Sequence, residues 1–234
     1  MKKVSLNGII NIIIFLYIVS LYVLTYRAGL HLISNALALG LIVSIWANFL
    51  VTRRKLVFNK FLFLFLLFII ICSISIFYAL DPSLALTKVR TLLLIFLVMF
   101  SLVNHIDSYE KIEKFIKHIV YSGIIASLYI LSTSDFSQLT RFGGELGNVN
   151  AIGMIIGIST TFCFYFIITE KKRTYIFFMV PMLSTILLTG SRKSLLFVVM
   201  NILLIVYLKN RRNLKDIFKF VVITMAIMLI FYFV

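Results

Sequence analysis

The sequence contains little cysteine and little acid. Among its 234 residues are 2 Cys and 8 Asp or Glu, against 23 Lys or Arg. Cys72 and Cys163 lie in apolar runs without a CxxC spacing or a neighbouring histidine, which argues against a disulfide framework, a metal centre and a cysteine nucleophile. We expect both to be buried packing residues, and we predict neither a metal ion nor a cofactor.

The chain also lacks Pro-rich linkers, internal repeats and low-complexity segments other than its hydrophobic bias. Instead, 62% of its residues are hydrophobic, 13% are charged and the mean hydropathy is +1.10, values typical of a polytopic membrane protein. The apolar run near residues 9–24 has no small-residue cleavage site, so we interpret it as a retained span and not a signal peptide. The net charge of +15 forms no basic stripe interleaved with exposed aromatics, which argues against nucleic acid as a partner.

Nine apolar stretches have about the length that crosses a bilayer. They lie near residues 8–25, 32–51, 61–80, 87–104, 116–132, 151–169, 174–189, 194–208 and 217–234. We therefore predict an all-α fold, a polytopic transmembrane helical bundle of about nine spans. Residues 1–234 would form a single transmembrane domain.

The basic residues predict the orientation of this bundle. With a cytoplasmic amino terminus, the inner segments hold most of them, as the positive-inside rule requires. These are Lys2, Lys3, Arg53, Arg54, Lys55, Lys60, Lys111, Lys114, Lys117, Lys171, Lys172, Arg173, Lys209, Arg211, Arg212, Lys215 and Lys219. We attribute these clusters to topology and to contact with anionic lipid headgroups. Within residues 107–117 charges alternate at helical spacing, which predicts an amphipathic cytoplasmic helix leading into the fifth span.

The longest outer loop, about residues 133–150, is rich in Ser, Thr, Gly and Asn. Glycine permits a close approach of the backbone, and Asn148 and Asn150 can cap the helix that starts near Ala151. Arginine beside a helix amino terminus would favour an anion. The candidates in this loop are Arg141, Gly144, Glu145, Asn148 and Asn150. The alternative is a flexible loop that ends in an ordinary N-cap.

A second polar stretch, Thr189-Gly-Ser-Arg-Lys193, is predicted to be a tight turn between two apolar segments. Arginine at full membrane depth costs about 2.5 kcal/mol or more, so it usually faces a bundle interior, a cavity or a partner. The alternative is that Arg192 snorkels to the headgroups. Together the two stretches predict an anionic, membrane-borne ligand, because guanidinium groups suit phosphate oxygens.

The order of Arg141, the glycines, Asn148-Val-Asn150, two apolar spans and Leu188-Thr-Gly-Ser-Arg192 resembles the O-antigen ligase and polysaccharide polymerase family of bacteria. Ser75-Ile-Phe-Tyr-Ala-Leu-Asp-Pro82 and Leu86-Thr-Lys-Val-Arg90 are similar to that family's outer loop and the span that follows it. Val149 stands where many relatives have proline. The resemblance covers about residues 60–208. It implies the amino-terminal portion of such an enzyme, truncated before the large extracytoplasmic loop and the last spans.

The resemblance implies a metal-independent glycosyltransferase on the outer face of the bacterial cytoplasmic membrane. Its substrate would be undecaprenyl-diphosphate-linked oligosaccharide repeat units, polymerised or ligated into a capsule or O-antigen. Arg141 and Arg192 would be catalytic by stabilising the leaving diphosphate. The substrate-binding candidates are Arg90, Gly144, Glu145, Asn148, Asn150 and Ser191. Membrane lipids and other polysaccharide-assembly proteins are the further expected partners.

Two other classes remain open. A transporter or flippase of lipid-linked sugars would use buried arginines to line a path, but inverted repeats that would favour it are not found. The spans also contain few of the acidic residues that a proton-coupled carrier uses. A non-catalytic membrane subunit is the third class, and substitution of Arg141 and Arg192 would distinguish it.

Overall fold

Helices form every regular element in the part of the chain that the computed structural model describes, namely residues 6–24, 29–53, 55–133, 148–210 and residue 222. The prediction of an all-α fold is confirmed for these residues. The helices are α1 (Leu6–Val23), α2 (His31–Thr52), α3 (Lys60–Ile74), α4 (Pro82–His105), α5 (Tyr109–Thr133), α6 (Val149–Thr169), α7 (Tyr175–Leu188) and α8 (Arg192–Asn210), and a 3-10 turn (Ser75–Tyr78) follows α3.

Side-chain caps define where α3 and α4 begin. The Asn59 side chain accepts a hydrogen bond from the Leu62 N–H, and the Asp81 carboxylate accepts from the N–H groups of Ser83 and Leu84. Pro82 follows at the first helical position, where its missing N–H costs nothing. The hydrogen bond from the Leu84 N–H lowers the pKa of the Asp81 carboxyl most, and the hydrogen bond from the Ser83 hydroxyl is the second largest cause.

The chain divides into two compact units, Met1–Tyr17 with Leu32–Phe115, and Ile18–His31 with Ile116–Val234. In the first unit Trp46 of α2 contacts α4: its Nε1 donates to Ser101 Oγ at 3.0 Å, and its ring lies 5.4 Å from the Phe100 ring. Phe65 of α3 contacts Phe96 of α4 with 6.0 Å between ring centroids. Aromatic side chains thus hold α2 and α3 against α4.

Asn104, near the end of α4, ties down the link between α2 and α3. Its Oδ1 accepts from the Val57 N–H at 2.7 Å, and its Nδ2 donates to the Val57 carbonyl at 3.1 Å and to the Phe100 carbonyl at 2.9 Å. The amide therefore satisfies both backbone polar groups of Val57. A backbone segment without regular structure needs such partners where water is scarce.

In the second unit, α7 and α8 both pack against α6. The core holds Val120, Ile130, Ile152, Ile156, Cys163, Phe166, Tyr175, Met182, Ile186 and Val198. Ser159 Oγ donates to the Ile119 carbonyl of α5 at 3.0 Å. Because that uses its one proton, the Tyr22 hydroxyl, 3.2 Å away, is the donor to Ser159. Small residues that permit such close helix contacts are typical of membrane bundles.

Six described helices are long and apolar enough to cross a membrane: α1, α2, α3 with the 3-10 turn, α4, α5 and α6. α7 is a shorter apolar helix of 14 residues, and α8 is not among the six. The ninth predicted stretch, 217–234, lies outside the described residues apart from residue 222. The described chain therefore has the helices of a multi-span membrane protein, in fewer clear spans than predicted.

Two predicted span starts differ from the structure by five residues or more. α4 begins at Pro82 and not at residue 87, because Asp81 caps it there, so Lys88 and Arg90 lie inside a helix. The fifth span was predicted to begin near residue 116, but α5 begins at Tyr109 and runs unbroken through the charged segment into the apolar one. At the entrance to α5 the charges pair at helical spacing, Lys111 with Asp107 at 2.8 Å.

Candidate functional site

The start of α6 is capped by one of the two predicted asparagines. Asn148 Oδ1 accepts from the N–H groups of Asn150 at 3.0 Å and Ala151 at 3.3 Å, and its carbonyl accepts from the Ile152 N–H. The predicted capping role of Asn148 is confirmed, with the helix beginning at Val149. Asn150 does not cap this helix. It lies inside the first turn, and its side chain is directed to another helix.

A tight turn joins α7 to α8, as predicted. Gly190 has a φ of 59°, a left-handed conformation that glycine adopts without strain. Thr189 Oγ1 donates to the Ile186 carbonyl at 2.7 Å and accepts from the Ser191 N–H at 3.3 Å. These bonds satisfy polar groups that are buried, since Thr189 is 1% exposed. The prediction that Arg192 lies in the turn is wrong, because α8 begins at that residue.

Ser191 caps α8 and contacts α6. Its carbonyl accepts from the Leu195 N–H, and its Oγ accepts from the Ser194 N–H at 3.4 Å. The same hydroxyl donates to Asn150 Oδ1 at 2.9 Å. Since Ser191 Oγ has only one proton, Ser194 is the donor in the 2.8 Å contact between the two hydroxyls. The order of donation is therefore Ser194 to Ser191 to Asn150.

α6 and α8 run parallel, with their amino termini at the same end. Near that end Gly153 faces Ser191 and Ser194, one turn further Gly157 faces Phe197 and Val198, and at the other end Lys209 Nζ donates to the Ile168 carbonyl at 2.6 Å. Along this contact the residue numbers of α6 and of α8 increase in the same direction, as they do only in parallel helices. Two helix amino termini, each equivalent to about half a positive charge, therefore lie side by side.

Arg192 and Lys193 add formal positive charge to this end. Both are exposed, and within the described residues no acid pairs with either of them. The first N–H groups of a helix have no partner inside it. At α8 the Ser191 hydroxyl satisfies the N–H of Ser194. The end of the α6–α8 pair is thus a place where an anion would be stabilised.

The other predicted residues are either outside the described residues or in the first unit. Arg141, Gly144 and Glu145 lie outside the described residues. Arg90 is exposed on α4, in the first unit, whereas Asn148, Asn150, Ser191 and Arg192 belong to the second. The structure therefore groups four of the predicted residues and leaves the other predictions as they were.

Two residues at this end, Gly153 and Ser194, were not predicted from the sequence. A single glycine or serine in an apolar run is too common to be informative. A spacing of three residues between Ser191 and Ser194 does match a helix first turn, and this was the one local signal available. The pairing with Gly153 depends on a helix that is 41 residues away in sequence.

The described residues include no group of three or more His, Cys, Asp or Glu that could hold a metal ion. Cys163 is fully buried and donates to the Tyr175 carbonyl at 3.0 Å, which confirms its packing role. Cys72 is only half-buried, so the prediction that it is buried is wrong. It lies on α3, few of whose side chains are covered by the protein.

The fold and this site define an all-helical, multi-span membrane protein with a positively charged end on one parallel helix pair. A scan against protein-family models gives no match, and searches of curated proteins and of solved structures give none either.

Proposed function

We propose that this protein is a bacterial membrane glycosyltransferase. It polymerises or ligates undecaprenyl-diphosphate-linked oligosaccharide repeat units into a surface polysaccharide, capsule or O-antigen, at the outer face of the cytoplasmic membrane. About nine spans, with a cytoplasmic amino terminus, belong to this proposal. What supports it is the resemblance of residues 60–208 to the polymerase and ligase family, together with the chemistry of the α6–α8 end.

The single observation that carries the proposal is the parallel pair of helix amino termini with Arg192 at its edge. Two positive helix ends side by side repel one another, and an anion between them removes that penalty. A diphosphate leaving group gains negative charge as the glycosidic bond to it breaks. Donors fixed in place before the reaction stabilise such charge most effectively.

The residues have separate roles in this proposal. The Arg192 guanidinium binds the diphosphate oxygens through paired hydrogen bonds. Asn150 is held by Ser191 through its Oδ1, which leaves its Nδ2 group to donate to phosphate or sugar oxygens. Arg141, from the segment that precedes α6 in the sequence, is the second catalytic arginine. Gly144, Glu145 and Arg90 remain proposed substrate contacts.

The test expresses the chain, and an Arg192→Ala variant, in a strain that lacks its own polymerase, and measures polysaccharide length on a gel. We expect long chains with the unchanged sequence and single repeat units with the variant. Arg173→Ala is the matched control, because Arg173 is an exposed cation beyond the opposite end of α6 and should leave chain length unchanged.

A binding measurement tests the ligand separately. In nanodiscs, undecaprenyl diphosphate should bind the unchanged protein, and Arg192→Ala should raise Kd about 10- to 100-fold, the range for a charged hydrogen bond of about 1.5–3 kcal/mol. Binding without polymerisation would argue against catalysis by this chain alone and leave the transporter alternative open. Absence of both, with the protein folded, would refute the proposal.

A further inference from the structure

Gly153 of α6 lies directly against Ser194 of α8. An ideal Cβ placed on Gly153 would be 2.4 Å from Ser194 Oγ and 2.8 Å from Ser194 Cβ. Such distances force a shift of the helices or the side chain. Ser194 has no room to move aside, because it is fully buried and its hydroxyl is bonded to Ser191.

Along the α6–α8 contact, the restriction is tightest at this position. At Gly157, one turn along the same contact, the nearest atom to an added Cβ is Val198 Cγ2 at 3.1 Å, the end of a side chain. At Gly40 on α2, an added Cβ meets nothing within 4 Å. The two helices therefore approach most closely at the end where their amino termini lie.

Ser194 connects this close approach to the candidate site. Its hydroxyl donates to Ser191, which in turn donates to Asn150. A displacement of α8 from Gly153 would carry Ser191 and Ser194 with it and lengthen the contact between Ser191 and Asn150. It would also move Arg192, since that residue is two positions before Ser194 in the same helical turn.

We infer that Gly153 and Ser194 are positioning residues: their contact holds α6 and α8 in one register and so fixes Asn150, Ser191 and Arg192 relative to one another around a diphosphate. The ligand-positioning role rests on the proposed function, whereas the register contact does not. Neither residue touches the ligand in this proposal.

Thiol cross-linking tests the register. Cysteines replace Asn150 and Ser191 in a chain that also carries Cys72→Ala and Cys163→Ser, the latter keeping the donor to Tyr175. Oxidation should join the two new cysteines readily, because the side chains they replace are in contact. Addition of Gly153→Ala should lower the cross-linking rate roughly tenfold, in line with the penalty for overpacking.

Two further variants separate this contact from general damage. Adding Ser194→Gly to Gly153→Ala removes both clashing atoms, so the cross-linking rate should recover. Gly40→Ala is the matched control and should leave the rate unchanged. If Gly153→Ala cross-links as fast as Gly40→Ala, or if Ser194→Gly fails to restore the rate, the inference is wrong.

Binding of undecaprenyl diphosphate in nanodiscs, with Asn150 and Ser191 intact, tests the consequence for the ligand. Gly153→Ala should raise Kd roughly tenfold, and the double variant should restore it. A folding defect lowers the number of binding sites, whereas displaced groups raise Kd. If cross-linking falls and Kd does not change, the positioning role is overturned. If the unchanged protein binds no diphosphate lipid, the proposed function fails with the ligand-positioning role, and cross-linking alone decides the register.

Discussion

Replacing Asn104 with alanine should free the link between α2 and α3. The variant loses three hydrogen bonds, two of which hold the backbone of Val57. At a net value of about 1 kcal/mol for each hydrogen bond, the attachment of the link weakens by about 2 kcal/mol. Its open form should then be populated about 30-fold more often, since 1.4 kcal/mol corresponds to a factor of ten.

Limited proteolysis measures this opening directly. The link carries Lys55, and Lys60 begins α3, so trypsin should cut there only when the segment detaches. When opening and closing are fast relative to cleavage, the cleavage rate follows the open population. Mass spectrometry of the purified protein in detergent should show cleavage at Lys55 and Lys60 rising about 30-fold in Asn104→Ala.

Two variants sharpen the result. Asn104→Asp keeps an acceptor for the Val57 N–H but turns an oxygen toward the carbonyls of Val57 and Phe100, so cleavage should rise at least as much. Asn201→Ala is the matched control, because the hydrogen bond that Asn201 donates within the described residues goes to the Phe197 carbonyl of its own helix. Cleavage of Asn104→Ala at the same rate as Asn201→Ala would refute the reasoning.

Two further predictions concern stability in detergent. Gly123→Ala should lower the stability of the second unit by about 1–3 kcal/mol, because its Cβ would lie 2.3 Å from Ser159 Cβ. Gly40→Ala should instead be neutral or stabilising. Equal denaturation midpoints for the two variants would contradict this prediction. The second prediction concerns Asp81, whose pKa is lowered in the folded state. Its carboxylate therefore contributes fully to folding stability above its unfolded pKa of about 4. This contribution is lost as the pH falls through the lower pKa of the folded state. Asp81→Asn should therefore lose less stability than the unchanged protein when the pH falls below about 4, and an identical loss would show that Asp81 does not contribute.

The helices could be predicted because each depends mainly on its own residues. Long apolar runs predict α1 to α6 without any knowledge of neighbours, and Asp81 before Pro82 is a local signal for the start of α4 that span length alone overlooked. Asn148 capped its helix as predicted for the same reason. A local pattern indicates that a helix begins and approximately at which residue.

The site could be predicted only in part, because its contacts join distant segments. Asn150 was predicted to cap α6, but an N-cap needs one residue and Asn148 takes that position, so Asn150 is available to Ser191. Nothing within five residues of Gly153 indicates that a serine hydroxyl will occupy the place of its missing side chain. Asn104 is similar, since its partner Val57 is 47 residues away.

The shortness of α7 has a consequence for membrane thickness. Its 14 residues extend about 21 Å, against about 30 Å for the hydrocarbon core of a bilayer. Its neighbour α6, with 21 residues, extends about 31 Å. A span that is too short draws the bilayer thinner around it or leaves one of its ends below the surface.

The end of α7 that joins α8 has buried polar groups that suit a position below the membrane surface. Thr189, Ser191 and Ser194 are buried, and each hydroxyl has a partner within the protein, so these three hydroxyls do not depend on water. If α7 crosses the membrane, as the proposed nine spans require, the α6–α8 end lies where lipid tails begin, within reach of the proposed ligand, a diphosphate whose polyprenyl chain stays in the membrane. Bilayers with longer acyl chains would bury this end more deeply, so lipid composition becomes a means of controlling access to it.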